Sequence, residues 1–326
     1  MTGVRGWRSA LTANAKQPGG LRLTVKALGK SVKTGLLASG WYANRLERDV
    51  FPGVLGFCYH GIRASRAHQE SPLANLHVLA ETFDAQCRMI AELCHPIDLA
   101  TFCEARDQGR PMPERPVLVT FDDGYRSVFE LARPILRRYR IPAAVFVCSG
   151  PVERQRLFWF DAVTRALGPA AVGVLRAQRA EAWRKAVAEH DTPATAAPHL
   201  APMTADHVRQ MADEGFAIGV HTASHAPLAR LAVEQQRHEL DSCRSALESW
   251  TGQRSVALAY PFGAPRADYT DETVALAAEL GFTAGFTTRY DFARADEPPL
   301  ERSRFVVLAE VTAAELAHRI TYAWPR

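Results

Sequence analysis

Val117-Leu-Val-Thr-Phe-Asp-Asp-Gly-Tyr125 runs an apolar segment straight into two adjacent carboxylates and a glycine. Val117, Leu118, Val119 and Phe121 make a short run, opened by Pro116 and rich in β-branched residues, with the pattern of a buried strand. Asp122 and Asp123 then stand at its C-terminal mouth. Parallel α/β folds place their chemistry there, because the strands are rigid and the loops are free to vary. Neighbouring residues on an extended backbone point to opposite sides, so the two carboxylates are able to take different roles, one on a metal and one holding a proton. Taken alone, Asp-Asp-Gly reads first as a turn.

A second stretch changes that balance. In Phe216-Ala-Ile-Gly-Val-His-Thr-Ala-Ser-His225 another short apolar strand, Ala217 to Val220, delivers His221 and His225 at its end. Two imidazoles four apart meet one ion if the loop between them coils by about one turn, and a carboxylate from a neighbouring strand completes a three-ligand site with an open position. The expectation is a hydrolytic metal site. Mixed N/O ligands favour zinc, with cobalt, nickel and iron also compatible.

These residues resemble the polysaccharide deacetylases with a NodB-type domain (carbohydrate esterase family 4), which act on N-acetylated sugars. Thr120-Phe121-Asp122-Asp123-Gly124 and His221-Thr222-Ala223-Ser224-His225 are similar to its first two motifs, and Leu258-Ala-Tyr-Pro-Phe-Gly263 to its third; the likeness runs over about residues 54 to 310, in order. It implies an α/β fold, a distorted (β/α)7-type barrel, and removal of N-acetyl groups from N-acetylhexosamine units of a polysaccharide, oligosaccharide or lipid-linked sugar. It implies a metal on Asp123, His221 and His225, with Asp122 as catalytic base and the N–H of Phe262 facing the oxyanion. In the branch most like this sequence a Tyr-His pair at the first strand lies in the active site and a late Leu-x-His motif is absent. Here Val54-Leu-Gly-Phe-Cys-Tyr-His-Gly61 supplies that pair, which makes His60 the candidate general acid. Its bland alternative is a strand-terminal histidine bonded to backbone.

The sequence departs from the family at Ala259, where an arginine often precedes the third motif. Glu301-Arg-Ser-Arg-Phe-Val-Val307 offers a substitute. Arg304 is assigned to orienting Asp122, with Arg302 as second choice, and either reads also as a surface charge. Two other function classes stay open at this stage: a carbohydrate-binding pseudoenzyme, which the missing arginine favours, and an O-acetyl esterase or small-amide hydrolase on the same scaffold.

Charge separates the chain into two parts. Residues 1 to 50 hold nine Lys or Arg against two acids, net +7, so the other 276 of the 326 residues carry −3 of the total +4. The basic character belongs to an N-terminal arm, 1–50, and gives no reason to expect nucleic-acid binding by a domain over 51–326. After a polar start ending in Pro18-Gly-Gly20, Leu21, Val25, Leu28, Val32 and Leu36 alternate with Arg22, Lys26, Lys30 and Lys33. This is a basic amphipathic helix over 21–37 that either lies on an anionic membrane or covers the body. No eighteen-residue apolar stretch and no signal-like apolar core is read. The six cysteines include no Cys-x-x-Cys and read as reduced core residues. Together these predict a cytoplasmic protein, peripheral to a membrane at most, meeting its glycan inside the cell, or else a start assigned in the wrong place.

Between the motifs the rhythm is strand then helix, seven or so times. Thr82 reads as a cap, Pro134 as a kink, Thr204 and Gly215 as the bounds of one helix, Gly252 as the stop of another, and Thr312-x-x-Glu315 as a capping box. From about 150 to 203 the rhythm breaks into a helical insertion whose exposed face carries Arg176, Arg179, Arg184 and Lys185. Its Phe158-Trp159-Phe160 cluster reads as core or as a sugar-stacking surface.

Overall fold

Pro116–Phe121 is a strand buried at every residue, and the rest of a computed structural model, which describes residues 19–65, 74–107 and 111–323, is arranged around it. In chain order the strands are β1 (Leu55–Tyr59), β2 (Ile62–Arg63), β3 (Val78–Leu79), β4 (His95–Pro96), β5 (Pro116–Phe121), β6 (Ala143–Val147), β7 (Ala217–Val220), β8 (Ala257–Ala259), β9 (Ala284–Phe286) and β10 (Phe305–Val306). The main sheet runs β10-β1-β5-β6-β7-β8-β9, with β4 paired to the start of β5, and its pairs are all parallel. A parallel bridge from Phe286 to Arg302, just before β10, links the two ends of that path. The expected distorted (β/α)7-type barrel is what forms. The strands are apolar on both sides because helices cover one face and the barrel interior the other.

The helices are α1 (Gly19–Ala38), α2 (Trp41–Leu46), α3 (Ala80–Leu93), α4 (Leu99–Asp107), α5 (Arg133–Tyr139), α6 (Ser149–Arg154), α7 (Trp159–Leu167), α8 (Pro169–Arg176), α9 (Ala180–Glu189), α10 (Ala205–Asp213), α11 (Val233–Thr251), α12 (Asp271–Glu279) and α13 (Ala313–His318). Along β5, Val117, Val119 and Phe121 join the large core under the helices. Leu118 joins a separate interior cluster with Phe146, Ala257, Ala259, Ala284 and Phe286. That period of two aims Thr120 and Asp122 into the barrel.

Several local expectations change. Thr82 lies inside the first turn of α3, because β3 runs directly into the helix and Leu79 takes the cap position. Pro134 does not kink a continuous helix; it sits in the first turn of α5, after a π-helical turn over Val128–Ala132. The wider turn absorbs the hydrogen bond that proline is unable to donate. Thr204 and His207 form a reciprocal capping box on α10, and Gly252 closes α11 in the left-handed region. At α13 only half the box forms: Thr312 Oγ1 accepts from the Glu315 N–H, while the Glu315 carboxylate turns to Lys33 and Arg319.

That contact docks the arm. Lys33 pairs with Glu315, Leu36 and Leu37 pack on the core, and Tyr42 meets His318 at 3.2 Å. Leu28 and Val32 stay 65% and 54% exposed, so the stripe is divided between the body and solvent. The start ending at Pro18 and the side chains of 21–27 lie outside the described residues. None of the six cysteines is joined in a disulfide. Among the described residues no helix is long and apolar enough to cross a membrane.

Candidate active site

The ends of β1, β5 and β7 bring the sequence-selected polar residues into one place. Asp122 continues the interior-facing parity of β5, and its N–H bonds the Tyr59 carbonyl at the end of β1. Asp123 then leaves the strand at φ 74°, which separates its carboxylate from that of its neighbour. His221 follows β7 directly, and the loop to His225 coils back so that both imidazoles face Asp123. Asp123 Oδ1 lies 3.3 Å from Nε2 of His221 and 3.3 Å from Nε2 of His225.

The backbone does this under strain. Among the described residues eight non-glycines have left-handed φ, and four of them, Asp123, Thr222, His225 and Phe262, belong to this cluster. Such conformations cost on the order of 1–3 kcal/mol each and persist where the surroundings over-determine them. Thr222 is β-branched and so unusually disfavoured there. The sheet and α11 supply the constraint: His221 N–H bonds the Val147 carbonyl, Cys148 N–H the Asp123 carbonyl, and Ala223 N–H the carbonyl of Glu239 in α11.

Two networks divide the adjacent carboxylates. Asp122 receives both terminal nitrogens of Arg304, at 2.7 Å each. Arg304, which is fully buried, also donates to Thr120 Oγ1 and the Thr287 carbonyl. Its guanidinium lies 5.5 Å from the rings of Phe146 and Phe286, members of the interior cluster that Ala259 also lines. Position 259 is an alanine, and the guanidinium on Asp122 arrives instead from beside β10. Burial alone would raise the Asp122 carboxyl, but Arg304 outweighs it and holds the group well below the usual carboxylate range. Arg302 goes elsewhere: its Nη1 donates to the Arg294 carbonyl, and it lines a cavity with Val54, Phe102, Met112 and Pro116 at the opposite end of the barrel.

The second network has the donor set of a cation site. His221 Nδ1 bonds the Ala259 carbonyl at 2.7 Å, which in the neutral ring puts the lone pair on Nε2; burial opposes a charged ring, but the Asp123 and Asp122 carboxylates outweigh it and raise the pKa of His221. Burial pushes His225 down to about 3, so its imidazole stays neutral. Burial opposes ionisation of Asp123, yet the facing imidazoles hold its carboxyl below the ordinary value. Asp123 Oδ1 is buried without a well-formed hydrogen bond, and the three candidate ligand atoms lie within 4.8 Å of one another. Two imidazoles and one carboxylate around an orphaned oxygen fit a divalent ion.

His60 follows β1, partly exposed, with Nδ1 buried and without a hydrogen-bond partner. Phe262, at φ 61°, presses its ring edge-on against His225, 4.7 Å between centroids. On the other side His225 meets Phe160 at 4.7 Å, and Trp159 Nε1 donates to the His225 carbonyl. Phe158, Trp159 and Phe160 are all buried, so they serve as core behind a ligand and not as an open stacking surface.

Three features were not read from sequence. Cys58 Sγ donates to Asp122 Oδ2 at 3.3 Å; its place two residues before His60 on a strand was the available signal. Tyr125 Oη donates to buried Asp161 at 2.6 Å, whose carboxyl burial pushes up to about 7. Arg176 is no free surface charge: it makes a bidentate pair with Asp268 and lies 4.5 Å over the Phe262 ring, while Asp268 accepts the Ala264 N–H. Arg179, Arg184 and Lys185 remain exposed as expected.

Comparison with known proteins bears on the family and the fold. The family described as polysaccharide deacetylase matches residues 109–285. Among curated proteins, the putative polysaccharide deacetylase YxkH of Bacillus subtilis (strain 168) is 24% identical over 190 residues, 58% of this chain and 50% of that protein. The poly-beta-1,6-N-acetyl-D-glucosamine N-deacetylase of Escherichia coli (strain K12) is 31% identical over 118 residues, 35% of this chain and 17% of the relative. The chain thus matches half the length, or less, of these relatives. Among solved structures, the Streptococcus pyogenes deacetylase PplD in complex with acetate superposes with a TM-score of 0.63 at 23% identity, covering 82% of this chain and 98% of that one. IcaB from Ammonifex degensii gives 0.58 at 19%, covering 82% and 97%. At these identities the likeness establishes the fold.

Proposed function

This chain belongs to the polysaccharide deacetylase family, and from that premise we propose that it is a metal-dependent hydrolase that removes N-acetyl groups from N-acetylhexosamine units of a glycan. The observation that carries the reading is the division of two adjacent carboxylates: Asp122 is held by Arg304, and Asp123 faces His221 and His225. A hydrolase needs one group to hold a cation and a separate ionised group to move a proton. Relatives named for poly-beta-1,6-N-acetyl-D-glucosamine favour a β-linked N-acetylglucosamine chain as the substrate class.

Asp123, His221 and His225 would hold the ion, zinc in the first instance, which when bound supplies Lewis acidity and an acidified water. Asp122 takes a proton from the attacking water, and Arg304 keeps it ionised and fixed in plane for that step. Phe262, turned by its left-handed backbone, offers an N–H to the oxygen that gains charge as the acetamide carbonyl becomes tetrahedral. His60 gives a proton to the departing amine, and acetate and a free amino sugar leave. Trp159, Phe160 and Phe262 keep water from the back of His225, which strengthens the electrostatics at the ligands.

The test is acetate release from N-acetylglucosamine oligomers, lipid-linked N-acetylated sugars and acetate esters, with chelator and with zinc restored. The reading expects release from the N-acetylated glycans, lost to chelator and recovered with zinc. Release from esters alone would replace amide by ester hydrolysis, and no release from any substrate with zinc restored would overturn the proposal.

A further inference from the structure

We propose that Cys58, His60 and Asp122 form a second cation site, which a soft divalent ion such as zinc or cadmium fills only in excess and whose filling stops turnover. The inhibition rests on the reading of Asp122 as base and His60 as acid; the site itself rests on geometry. Positions 56, 58 and 60 share one face of the β1 strand and its extension. That face looks onto Arg304, whose Cγ a side chain at Gly56 would meet at 3.0 Å. On it the Cys58 thiol is fully buried and lies 3.3 Å from Asp122 Oδ2. A ring nitrogen of His60 completes a set of three potential ligand atoms within 4.8 Å of one another. His60 Nδ1 is buried and has no hydrogen-bond partner.

The sulfur–oxygen separation is that of a ligand pair already spread for a metal. Tetrahedral zinc with sulfur and oxygen at their usual lengths holds such a pair about 3.5 Å apart. Here a proton lies between thiol and carboxylate. A cation would replace it: the S–H bond breaks, a metal–sulfur bond forms, and the proton passes to solvent. One thiolate, one imidazole and one carboxylate make a softer set than Asp123, His221 and His225, which offer no sulfur, so cadmium and zinc are preferred over magnesium or manganese.

Two features make the site the weaker of the two. Arg304 holds both oxygens of Asp122, Oδ1 through Nη1 and Oδ2 through Nη2, at 2.7 Å each, so an ion must share Oδ2 with a guanidinium N–H and meets a positive charge beside it. Asp123 next door belongs to the first cation site, so a second ion meets a second repulsion. An ion bound here occupies the carboxylate that must take a proton and the imidazole that must give one. Excess metal then acts as an off-switch built from catalytic groups.

The experiment adds cadmium chloride to the full-length protein carrying one equivalent of zinc. It follows cadmium bound per chain, the ultraviolet thiolate-to-cadmium charge-transfer band, and acetate release in the same samples. The expected result is a second equivalent that brings the band and a parallel loss of activity. In Cys58→Ser the band and the second equivalent disappear while the first zinc stays, which also verifies the fold. His60→Gln, a second variant, is expected to weaken cadmium at least tenfold and to keep the band at saturation. A band that persists in Cys58→Ser, arising from the other thiols, or no second equivalent at all, overturns the site and leaves the deacetylase reading intact. A band that Cys58→Ser removes, with acetate release undiminished in the unsubstituted protein, overturns the inhibition and with it the assignment of Asp122 as base.

Discussion

Arg302 and Arg304 stand two residues apart beside the same short strand, both buried, and they serve opposite ends of the barrel. Arg304 forks onto a carboxylate among ligands and left-handed backbone at the C-terminal mouth. Arg302 donates to a backbone carbonyl and lines a cavity of about 360 Å³ with largely apolar walls at the N-terminal mouth. The rise of a strand, about 3.3 Å per residue, is enough to carry one guanidinium to the chemistry and leave the other in the scaffold. Neighbouring positions of identical type thus differ in function because of the height at which each enters the barrel, which tests at both ends can break or sharpen.

The largest effect belongs to the mouth that holds the ligands. Asp122→Asn is expected to lower kcat by about 10²–10⁴, the range for a general acid or base, in acetate-release assays. Retained activity would move the base elsewhere. Arg304→Ala follows, because it leaves a carboxylate buried and unpaired. A loss of about 3–5 kcal/mol is expected in denaturant unfolding, and the acidic limb of the kcat/KM profile should move to higher pH. The sign follows from Asp122: its carboxyl is depressed in the folded state, so the stability it contributes is present above the unfolded carboxylate value and lost as pH falls through the folded one. Removing Arg304 raises that folded value. The same substitution at Arg302 should leave the pH profile in place, and a shifted profile there would erase the contrast between the two ends.

His60→Ala is expected to cost about a hundredfold in kcat; an unaffected rate would return His60 to a structural role. Arg176→Ala should cost less, about tenfold in kcat with KM nearly unchanged, since it frees Asp268 and the Phe262 ring without touching a ligand. Arg176→Lys should restore part of that rate by replacing the charge without the fork. A change confined to thermal stability, with kcat intact, would show that the loop holds its shape without Arg176.

The parts legible in the sequence are those whose signal is local. An apolar run followed at once by Asp122-Asp123, or by His221 and His225, states both the strand and what it carries. The caps at Thr204 and Gly252 are equally short-range. The left-handed backbone at Thr222 and Phe262 gave no sign in the sequence, and Asp123 and His225, of types that enter that region more readily than most, do not demand it; packing from other strands imposes it. The Arg176–Asp268 pair spans 92 positions, beyond any periodicity, and a helix face counted as solvated by its charges in fact contributes to the loop beside the site. The arm shows the same limit: its stripe was readable, but whether Lys33 met water, lipid or Glu315 depended on a helix near the far end of the chain.

The central claim is that Asp123, His221 and His225 hold one cation while Asp122 stays free of it. The direct test is metal per chain, by elemental analysis, in purified protein and in the Asp122→Asn and Asp123→Asn variants. One tightly held equivalent should survive in Asp122→Asn and be lost in Asp123→Asn. Loss in Asp122→Asn with retention in Asp123→Asn would contradict the account.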